Sequence, residues 1–486
     1  MLHPSGLILR KGELLMAYEF ERKITPKLIL SIVAAGLASF CGMIVETSMN
    51  VTFPTLMTEF GIGTSTVQWI TTGYLLVLAL VLPASSYLNK RFRLKSLFIV
   101  AVSLFLFGLL LCAWSPAFAV LLAGRLIQGA GTGIAMPLMF NIVLQQVPHD
   151  KTGMMIGVAS ILITIGSAIG PTIGGLVITY MGWRMIFVIL LPVMIFALIA
   201  GIVCIRQSSE LSKPAFDLPG YLIILVCFAS LVVGSSIAGD LGWCNALVIG
   251  LMILCVIAAA VYYLYASKKG PGAILNVSVF HFRDYTLCLT AYSIFMFICL
   301  SMSFIVPNYL QLVNGRTALE AGLAMMPGCL IMSGISPLSG RLYDRLGGTV
   351  PFLTGGCLVI IGQVLFNIFI RQADILSFIL IYLVFAVGNG LCFSNAMTHG
   401  LKQIPENLYT DGNALFNTFQ QLFAAIGTSI TTSLINQAQN AAGDTVQGTI
   451  NGAANAYHML LILAVVNVLI LLVVVRDIRR ARISRP

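Results

Sequence analysis

Charged residues are scarce in this sequence. Asp, Glu, Lys and Arg make up 9% of its 486 residues, whereas hydrophobic residues make up 58%. Because a soluble globular domain carries about 25% charged residues, this composition excludes a soluble protein and indicates a chain that crosses a membrane many times. The net charge of +10 would suggest a nucleic-acid partner in a soluble protein, but here the positions of the charges matter more than their sum.

The sequence also lacks the patterns that mark several kinds of functional site. The 11 cysteines lie in or beside apolar segments, without a CxxC pair or a Cys/His cluster, which argues against a metal site or a disulfide framework. No GxxxxGK(S/T) pattern and no GxGxxG after a strand is present, so we expect no nucleotide site. We therefore predict that the protein is not an enzyme and has no metal, no catalytic residue and no cofactor. If the protein transports a substrate, we expect the energy to come from an ion gradient and not from ATP.

Apolar runs of about 18–28 residues predict fourteen membrane spans. They lie near 28–56, 68–88, 96–114, 117–143, 154–179, 183–205, 218–238, 245–266, 286–308, 319–340, 350–370, 375–398, 411–436 and 455–475.

The positions of Lys and Arg predict how these spans are oriented. All but four of the 27 Lys and Arg residues fall in the termini and in loops on one side, the four being Arg125, Arg184, Arg316 and Arg371. Cytoplasmic segments carry such an excess of Lys and Arg. Both termini are thus predicted to be cytoplasmic, which agrees with an even number of spans. The positive net charge follows from this orientation, and no nucleic-acid partner is expected.

Two short basic turns suggest an internal repeat. Residues 86–95 follow the second span and residues 340–348 follow the tenth, so each turn opens the third span of a six-span group, as in parallel-repeat transporters. We predict an all-α integral membrane fold with a 6+2+6 arrangement. Its parts would be an N-terminal segment, a six-helix bundle, two inserted helices with linkers, a second six-helix bundle and a basic tail, at 1–27, 28–206, 207–285, 286–476 and 477–486.

Several motifs occur in an order typical of one family. RxxQGxG begins at Arg125, GxxxGPxxGG spans 166–175, WRxxF begins at Trp183 and GxLxDRxG spans 340–347. The sequence resembles the major facilitator superfamily, and more narrowly its fourteen-span drug:proton antiporters, over nearly the whole chain. The resemblance implies a major facilitator fold with a cavity between two halves.

Two departures from the family pattern concern the first half. The first-span motif usually reads LDxTxxN, whereas here the acid, Glu46, comes one residue later, directly before Thr47. This shift turns the carboxylate by about 100° around the helix. The first copy of the loop motif has Lys90 in place of its Asp and Arg93 in place of its second Gly, so the usual role of that loop is not expected here.

Glu46 and Arg125 are the predicted proton-coupling residues. Away from span ends, Glu46 is the one acid and Arg125 the one base inside the predicted spans. An acid there costs about 2.5–3.5 kcal/mol on insertion and normally faces a cavity or a partner. Burial favours the neutral carboxyl and a nearby guanidinium favours the ionised one, so a bulky substrate could shift this balance and expel the proton. The alternative is a fixed salt bridge that holds the first half together.

The remaining candidate sites follow from the resemblance and from helix faces. Polar and flexible side chains are predicted to line the substrate cavity: Asn50, Gln128, Thr132, Met136, Tyr309, Gln311, Asn395, Asn417 and Gln420. The antiporter motif, with Gly166, Gly170, Pro171, Gly174 and Gly175, is expected to form a bent span at the inner gate between the halves, the alternative being ordinary glycine-mediated packing. Asp344 and Arg345, in the second loop motif, are expected to tie helix ends together on the cytoplasmic side.

These features predict a multi-pass protein of the bacterial plasma membrane that acts as a proton-coupled antiporter. It would work as a monomer in the lipid bilayer, exporting lipophilic drugs by alternating access. One intramembrane carboxylate indicates one proton per cycle and favours monocationic, zwitterionic or neutral amphiphiles. The alternatives are a dedicated exporter of one metabolite or antibiotic, an ion-coupled importer, and a membrane sensor that transports nothing.

Overall fold

The structure, a computed structural model, describes residues 24–207, 215–372, 374–405 and 408–483. These residues form helices and no strands. The fourteen long helices are α1 Pro26–Phe60, α2 Trp69–Arg91, α3 Leu94–Ala113, α4 Phe118–Gln146, α5 His149–Met181, α6 Arg184–Cys204, α7 Leu218–Leu241, α8 Ala246–Lys269, α9 Arg283–Leu312, α10 Ala318–Leu346, α11 Thr349–Phe369, α12 Ile375–Leu401, α13 Tyr409–Ala442 and α14 Thr445–Ile483. A one-turn helix, Thr64–Val67, precedes α2, and short 3₁₀ turns follow α8 and α11.

Each predicted span falls on one of these helices. Twelve helices within the described ranges are long and apolar enough to cross a membrane. The other two are α13 and α5, whose described apolar stretch is Ile165–Met181 because most side chains of residues 149–164 lie outside the described residues. Helix α13 is rich in Ser, Thr, Asn and Gln, yet Thr418, Thr428 and Thr432 are fully buried. Because protein rather than lipid surrounds it, α13 does not need an apolar surface.

Local signals explain where several helices begin and end. Helix α1 starts with Pro26 after Thr25, whose hydroxyl accepts a hydrogen bond from the Leu28 N–H at 3.2 Å. It ends at Gly61, which has a positive φ of 63° that glycine adopts without strain. Helix α10 starts with a capping box in which Thr317 and Glu320 bond each other's backbone N–H groups.

The helix contacts repeat between the two halves of the chain. Helix α1 packs on α4, α5 and α6, and α9 packs in the same way on α12, α13 and α14. Between the halves, α1 meets α9, α5 meets α10 and α2 meets α13. Exchanging the halves turns the α5–α10 contact into the α13–α2 contact, so the packing has the two-fold pseudosymmetry of a parallel repeat.

Helices α7 and α8 pack on each other outside this repeat. Asp217, before α7, fastens the start of α7 to the end of α8, because its carboxylate accepts hydrogen bonds from Lys269 Nζ at 2.7 Å and from the Ile274 N–H at 3.0 Å. Tyr265 and the Gly220 N–H also donate to it. Although burial opposes ionisation, these hydrogen bonds hold the pKa of Asp217 below its ordinary value.

The bundle has two chemically different ends. At the first lie Lys27, Arg206, Arg283, Arg345 and Lys402, and we call it the basic end. The opposite end carries the α1–α2, α5–α6 and α9–α10 connections, with Arg184 and Arg316. Residues 1–23 of the predicted N-terminal segment, 208–214 of the linker and 484–486 of the tail lie outside the described residues, as does the side chain of Lys90.

Candidate transport site

A cavity of about 190 Å³ lies between the two halves. Helices α1 and α5 form one wall, and α9, α10, α12 and α13 form the other. Sulfur-bearing and hydroxyl side chains make up much of its lining: Met43, Met296, Cys299, Ser303, Met325, Cys329, Met332, Ser333, Ser336 and Ser394. Tyr382, Asn389, Phe393 and Gln420 complete the second wall. Flexible thioethers and aromatic rings make such a surface adaptable to ligands of different shape.

Glu46 is the acid in this lining. Its residue is 1% exposed, and its Oε2 atom is buried without a hydrogen-bond partner. The neighbouring Thr47 also lines the cavity, but its hydroxyl donates to the Met43 carbonyl at 2.9 Å. The carboxyl therefore stands in the cavity wall without a partner.

Arg125 is fully buried and does not line this cavity. Its Nε donates to the Ile70 carbonyl at 3.0 Å, and its Nη1 donates to Gln128 Oε1 at 2.8 Å. The guanidinium lies over the Tyr74 ring, 4.2 Å from the ring centre. Its Nη2 has no hydrogen-bond partner among the described residues.

The structure brings Glu46 and Arg125 near the same α2 residues but does not pair them. Gly42 and Asn50 flank Glu46 by one turn on each side, and both contact α2, through Tyr74 and Thr71 respectively. Arg125 lies over the same Tyr74 ring. No ion pair joins Glu46 to Arg125 in the described chain, so the fixed salt bridge that we kept as an alternative is not formed in this conformation.

Hydrogen bonds join the two halves between Glu46 and the opposite end of the bundle. Asn50 Nδ2 donates to Ser303 Oγ at 3.2 Å, and Gln311 Nε2 donates to the Val51 carbonyl at 3.0 Å, so α1 is fastened to α9. The hydroxyl of Thr172 in α5 donates to the Gly322 carbonyl of α10 at 3.2 Å. From Glu46 the cavity continues the other way, along Ser336, Ser394 and Gln420, towards the basic end.

The antiporter motif lies where the two halves are in contact. Gly166, Gly170 and Gly174 face α1, where a Cβ on Gly174 would come within 2.7 Å of the Ser48 Cβ. Gly175 faces the backbone of Ala318 in α10, and Gly322 of α10 faces the Pro171 carbonyl. The motif thus lies between the halves, and its contacts with α10 lie towards the opposite end. Its role at the inner gate stays a prediction, since in this conformation its glycines pack closely nearer the α5–α6 connection than the basic end.

Of the predicted cavity residues, Gln420 lines the cavity, where its Oε1 accepts a hydrogen bond from the Tyr292 hydroxyl at 2.7 Å. The others lie elsewhere in this conformation. Asn50 and Gln311 join the halves, and Tyr309 donates to the Ile370 carbonyl at 2.6 Å inside the second half. Further residues away from the lining are Gln128, Thr132, Met136, Asn395 and Asn417. Gln128 and Thr132 face Arg125 and Tyr74, because the residues that follow Arg125 by one and two turns share its face.

The loop motif at the basic end contacts the end of α12. Asp344 Oδ1 lies 3.9 Å from Lys402 Nζ, and both side chains are exposed. The preceding Tyr343 shares a 2.7 Å hydrogen bond with His399 Nδ1. Arg345 is exposed. An exposed ion pair of this length contributes little stability, so the buried Tyr343–His399 contact joins α10 to α12 more firmly than Asp344 does.

Sequence reasoning missed most of the second wall. On α10, Met325, Cys329, Met332, Ser333 and Ser336 recur at intervals of three or four residues and therefore share one face. That spacing was readable in the sequence. Small and sulfur-bearing residues on an apolar helix also suit ordinary helix packing, so the spacing alone did not distinguish a cavity wall from a helix interface.

The Major Facilitator Superfamily model matches residues 35–428, which include every residue that lines the cavity. The chain belongs to the Major Facilitator Superfamily. It is 34% identical over 410 residues to the lincomycin resistance protein LmrB of Listeria monocytogenes, covering 84% of this chain and 86% of that protein. It is 25% identical over 403 residues to the multidrug resistance protein Stp of Mycobacterium tuberculosis, covering 83% and 75%.

The fold also matches that of a solved transporter. A bacterial homologue of the human lysosomal transporter Spinster, crystallised in an inward-facing and unoccupied conformation, superposes with a TM-score of 0.68 over 93% of this chain and 98% of that chain, at 13% identity. This likeness concerns the fold alone. The protein is a major facilitator transporter and a multi-pass plasma-membrane protein, and its family consists of transporters, not enzymes.

Proposed function

We propose that the protein exports lipophilic drugs in exchange for protons, with Glu46 as the proton carrier. The observation behind the proposal is the buried carboxyl of Glu46, which stands in the wall of the inter-half cavity without an ion-pair partner. An ionised carboxylate that is buried without a partner is unfavourable, so the neutral acid is the form of lower free energy. A proton can therefore travel on Glu46 when the cavity changes sides.

Exchange requires that substrate and proton compete for one place. A cationic or strongly dipolar substrate beside Glu46 stabilises the ionised carboxylate and so releases the proton. After the substrate leaves, Glu46 takes up another proton from the side that the cavity then faces. Arg125, across Tyr74, would stabilise the ionised form at intermediate range without forming a fixed salt bridge.

In this proposal the fourteen helices all span the membrane in a 6+2+6 arrangement, with the basic end in the cytoplasm. The excess of Lys and Arg at that end supports this orientation. The described conformation is then closed towards the outside, with its cavity extending towards the cytoplasm. At about 190 Å³ the cavity is smaller than the roughly 300–1,000 Å³ of drug-sized pockets. The halves must therefore separate further at the basic end to admit a substrate.

Relatives named for lincomycin resistance and for multidrug resistance suggest two probes. The purified protein is reconstituted in liposomes with an imposed pH gradient, and uptake of lincomycin and of ethidium, a lipophilic monocation, is measured. We expect uptake that depends on the gradient and is abolished by a protonophore. Uptake of lincomycin alone would favour a dedicated exporter, and uptake of neither probe with or without the gradient would contradict the proposal.

A further inference from the structure

The inserted helix α7 contacts both halves, but unequally. Along its length it packs on α13 of the second half. Gly239 makes this packing close, because a Cβ there would lie 2.9 Å from the Ser433 Cα. Its contacts with the first half are fewer and involve α2 and the one-turn helix Thr64–Val67. Backbone-to-backbone packing on one side and sparse contacts on the other suggest that α7 belongs mechanically to the second half.

At the opposite end of the bundle, one carboxylate bridges the halves. Asp240 Oδ2 accepts a hydrogen bond from Ser65 Oγ at 2.6 Å, and its Oδ1 accepts one from Asn436 Nδ2 at 2.7 Å. Ser65 lies in the one-turn helix of the first half, and Asn436 lies in α13. One turn before Asp240, the hydroxyl of Ser236 accepts a 2.6 Å hydrogen bond from Gln68 Nε2.

These bonds lie beside direct contacts between the halves. Thr64 Oγ1 donates to Gln439 Oε1 at 2.8 Å, and Ser429 Oγ lies 3.4 Å from Thr72 Oγ1 nearer the membrane centre. Asp240 itself is exposed, so water can replace its protein partners when the contact opens. Gln68 and Ser236 are buried beneath it. A contact made of a few side-chain hydrogen bonds, each worth about 0.5–1.5 kcal/mol net, can open at modest cost once water reaches its polar groups.

We propose that α7 moves with the second half and that Ser236 and Asp240 latch its outer end to the first half. The Ser65–Asp240 and Gln68–Ser236 bonds must then break before the cavity opens to the outside, whereas the Asp240–Asn436 bond stays intact. This gives the inserted pair a gating role in transport. The inference rests on the proposed alternating access.

Two matched cysteine variants test which side of Asp240 must move. Ser65→Cys/Asp240→Cys joins α7 to the first half, and Asp240→Cys/Asn436→Cys joins it to the second. Both are made in a Cys244→Ser/Cys357→Ser background, because Cys244 and Cys357 are exposed. Each is treated with a short, reducible bis-methanethiosulfonate cross-linker and assayed in liposomes. We expect the first cross-link to lower transport by tenfold or more and reductant to restore it, while the second cross-link leaves transport within about twofold. Equal effects of both cross-links, or undiminished transport with the first, would overturn the latch.

A second measurement does not depend on transport, so that a failed latch and a failed transport proposal can be told apart. Ser429 lies between the latch and the cavity. A Ser429→Cys variant is labelled from outside with a membrane-impermeant thiol reagent, again in the Cys244→Ser/Cys357→Ser background. Adding Asp240→Ala should speed labelling about fivefold, as expected for the loss of about one hydrogen bond. Asp444→Ala is the control, because it removes an exposed acid at the same end that caps α14 without touching the first half. Equal labelling rates in the two variants would refute the latch even if no substrate were transported.

Discussion

Replacing Glu46 by glutamine removes the carboxyl from the described cavity lining and preserves the shape of the side chain. Among the described residues, the buried Oε2 atom of Glu46 has no hydrogen-bond partner that the substitution would remove. We therefore expect Glu46→Gln to fold and to remain monodisperse in detergent. It should bind substrate but be unable to carry a proton across.

The size of the effect follows from the number of acids in the cavity. With one carboxyl there, one proton is exchanged per substrate, and a gradient of one pH unit supplies about 1.36 kcal/mol. For a monocationic substrate, whose exchange for a proton moves no net charge, this gradient can sustain about a tenfold accumulation. In Glu46→Gln the accumulation ratio should fall from about ten to one, and substrate equilibrium exchange without a gradient should persist.

The assay is accumulation of ethidium in liposomes with the membrane potential clamped at zero. Glu320→Gln is the matched control, since Glu320 lies at the start of α10 and glutamine can also complete its capping box. Glu46→Asp retains a titratable group and should keep part of the coupling. Tenfold accumulation by Glu46→Gln would refute the assignment of Glu46 as the proton carrier.

Two further predictions concern the frame around the site. Gly175→Val should force α5 away from α10 at the opposite end, at a cost of about 1–3 kcal/mol. It should therefore lower transport and speed the labelling of Ser429→Cys from outside. Gly250→Val is the control and should change neither, because a side chain at that position meets open space. Asp217→Ala should destabilise the α7–α8 pair by about 1.5–3 kcal/mol and lower the detergent melting temperature. Since the folded pKa of Asp217 lies below its unfolded value, this contribution should be complete at neutral pH and be lost only as the pH falls below about 4. An unchanged melting temperature in Asp217→Ala, or equal behaviour of the two glycine variants, would contradict these accounts.

The sequence by itself determined the membrane class, the family and the identity of the buried acid. Apolar runs of 18 residues or more are so costly outside a bilayer that they report spans directly, and each predicted span corresponds to a helix. Glu46 was recognisable for the same reason, because an ionisable group inside such a run stands out against its neighbours. Local motifs such as GxxxGPxxGG reported close helix approach through residue size alone.

What only the tertiary structure decided depends on helix rotation and on which partners meet. As the one acid and the one base inside the predicted spans, Glu46 and Arg125 suggested a pair, yet Arg125 is turned towards Ile70, Gln128 and the Tyr74 ring. Asn50 and Gln311 are polar residues on inward faces, but the faces meet each other between the halves and not the cavity. The bridging of both halves by Asp240 joins residues 175 and 196 positions apart. No periodicity within one helix specifies such contacts, because they follow from how separate helices pack in three dimensions.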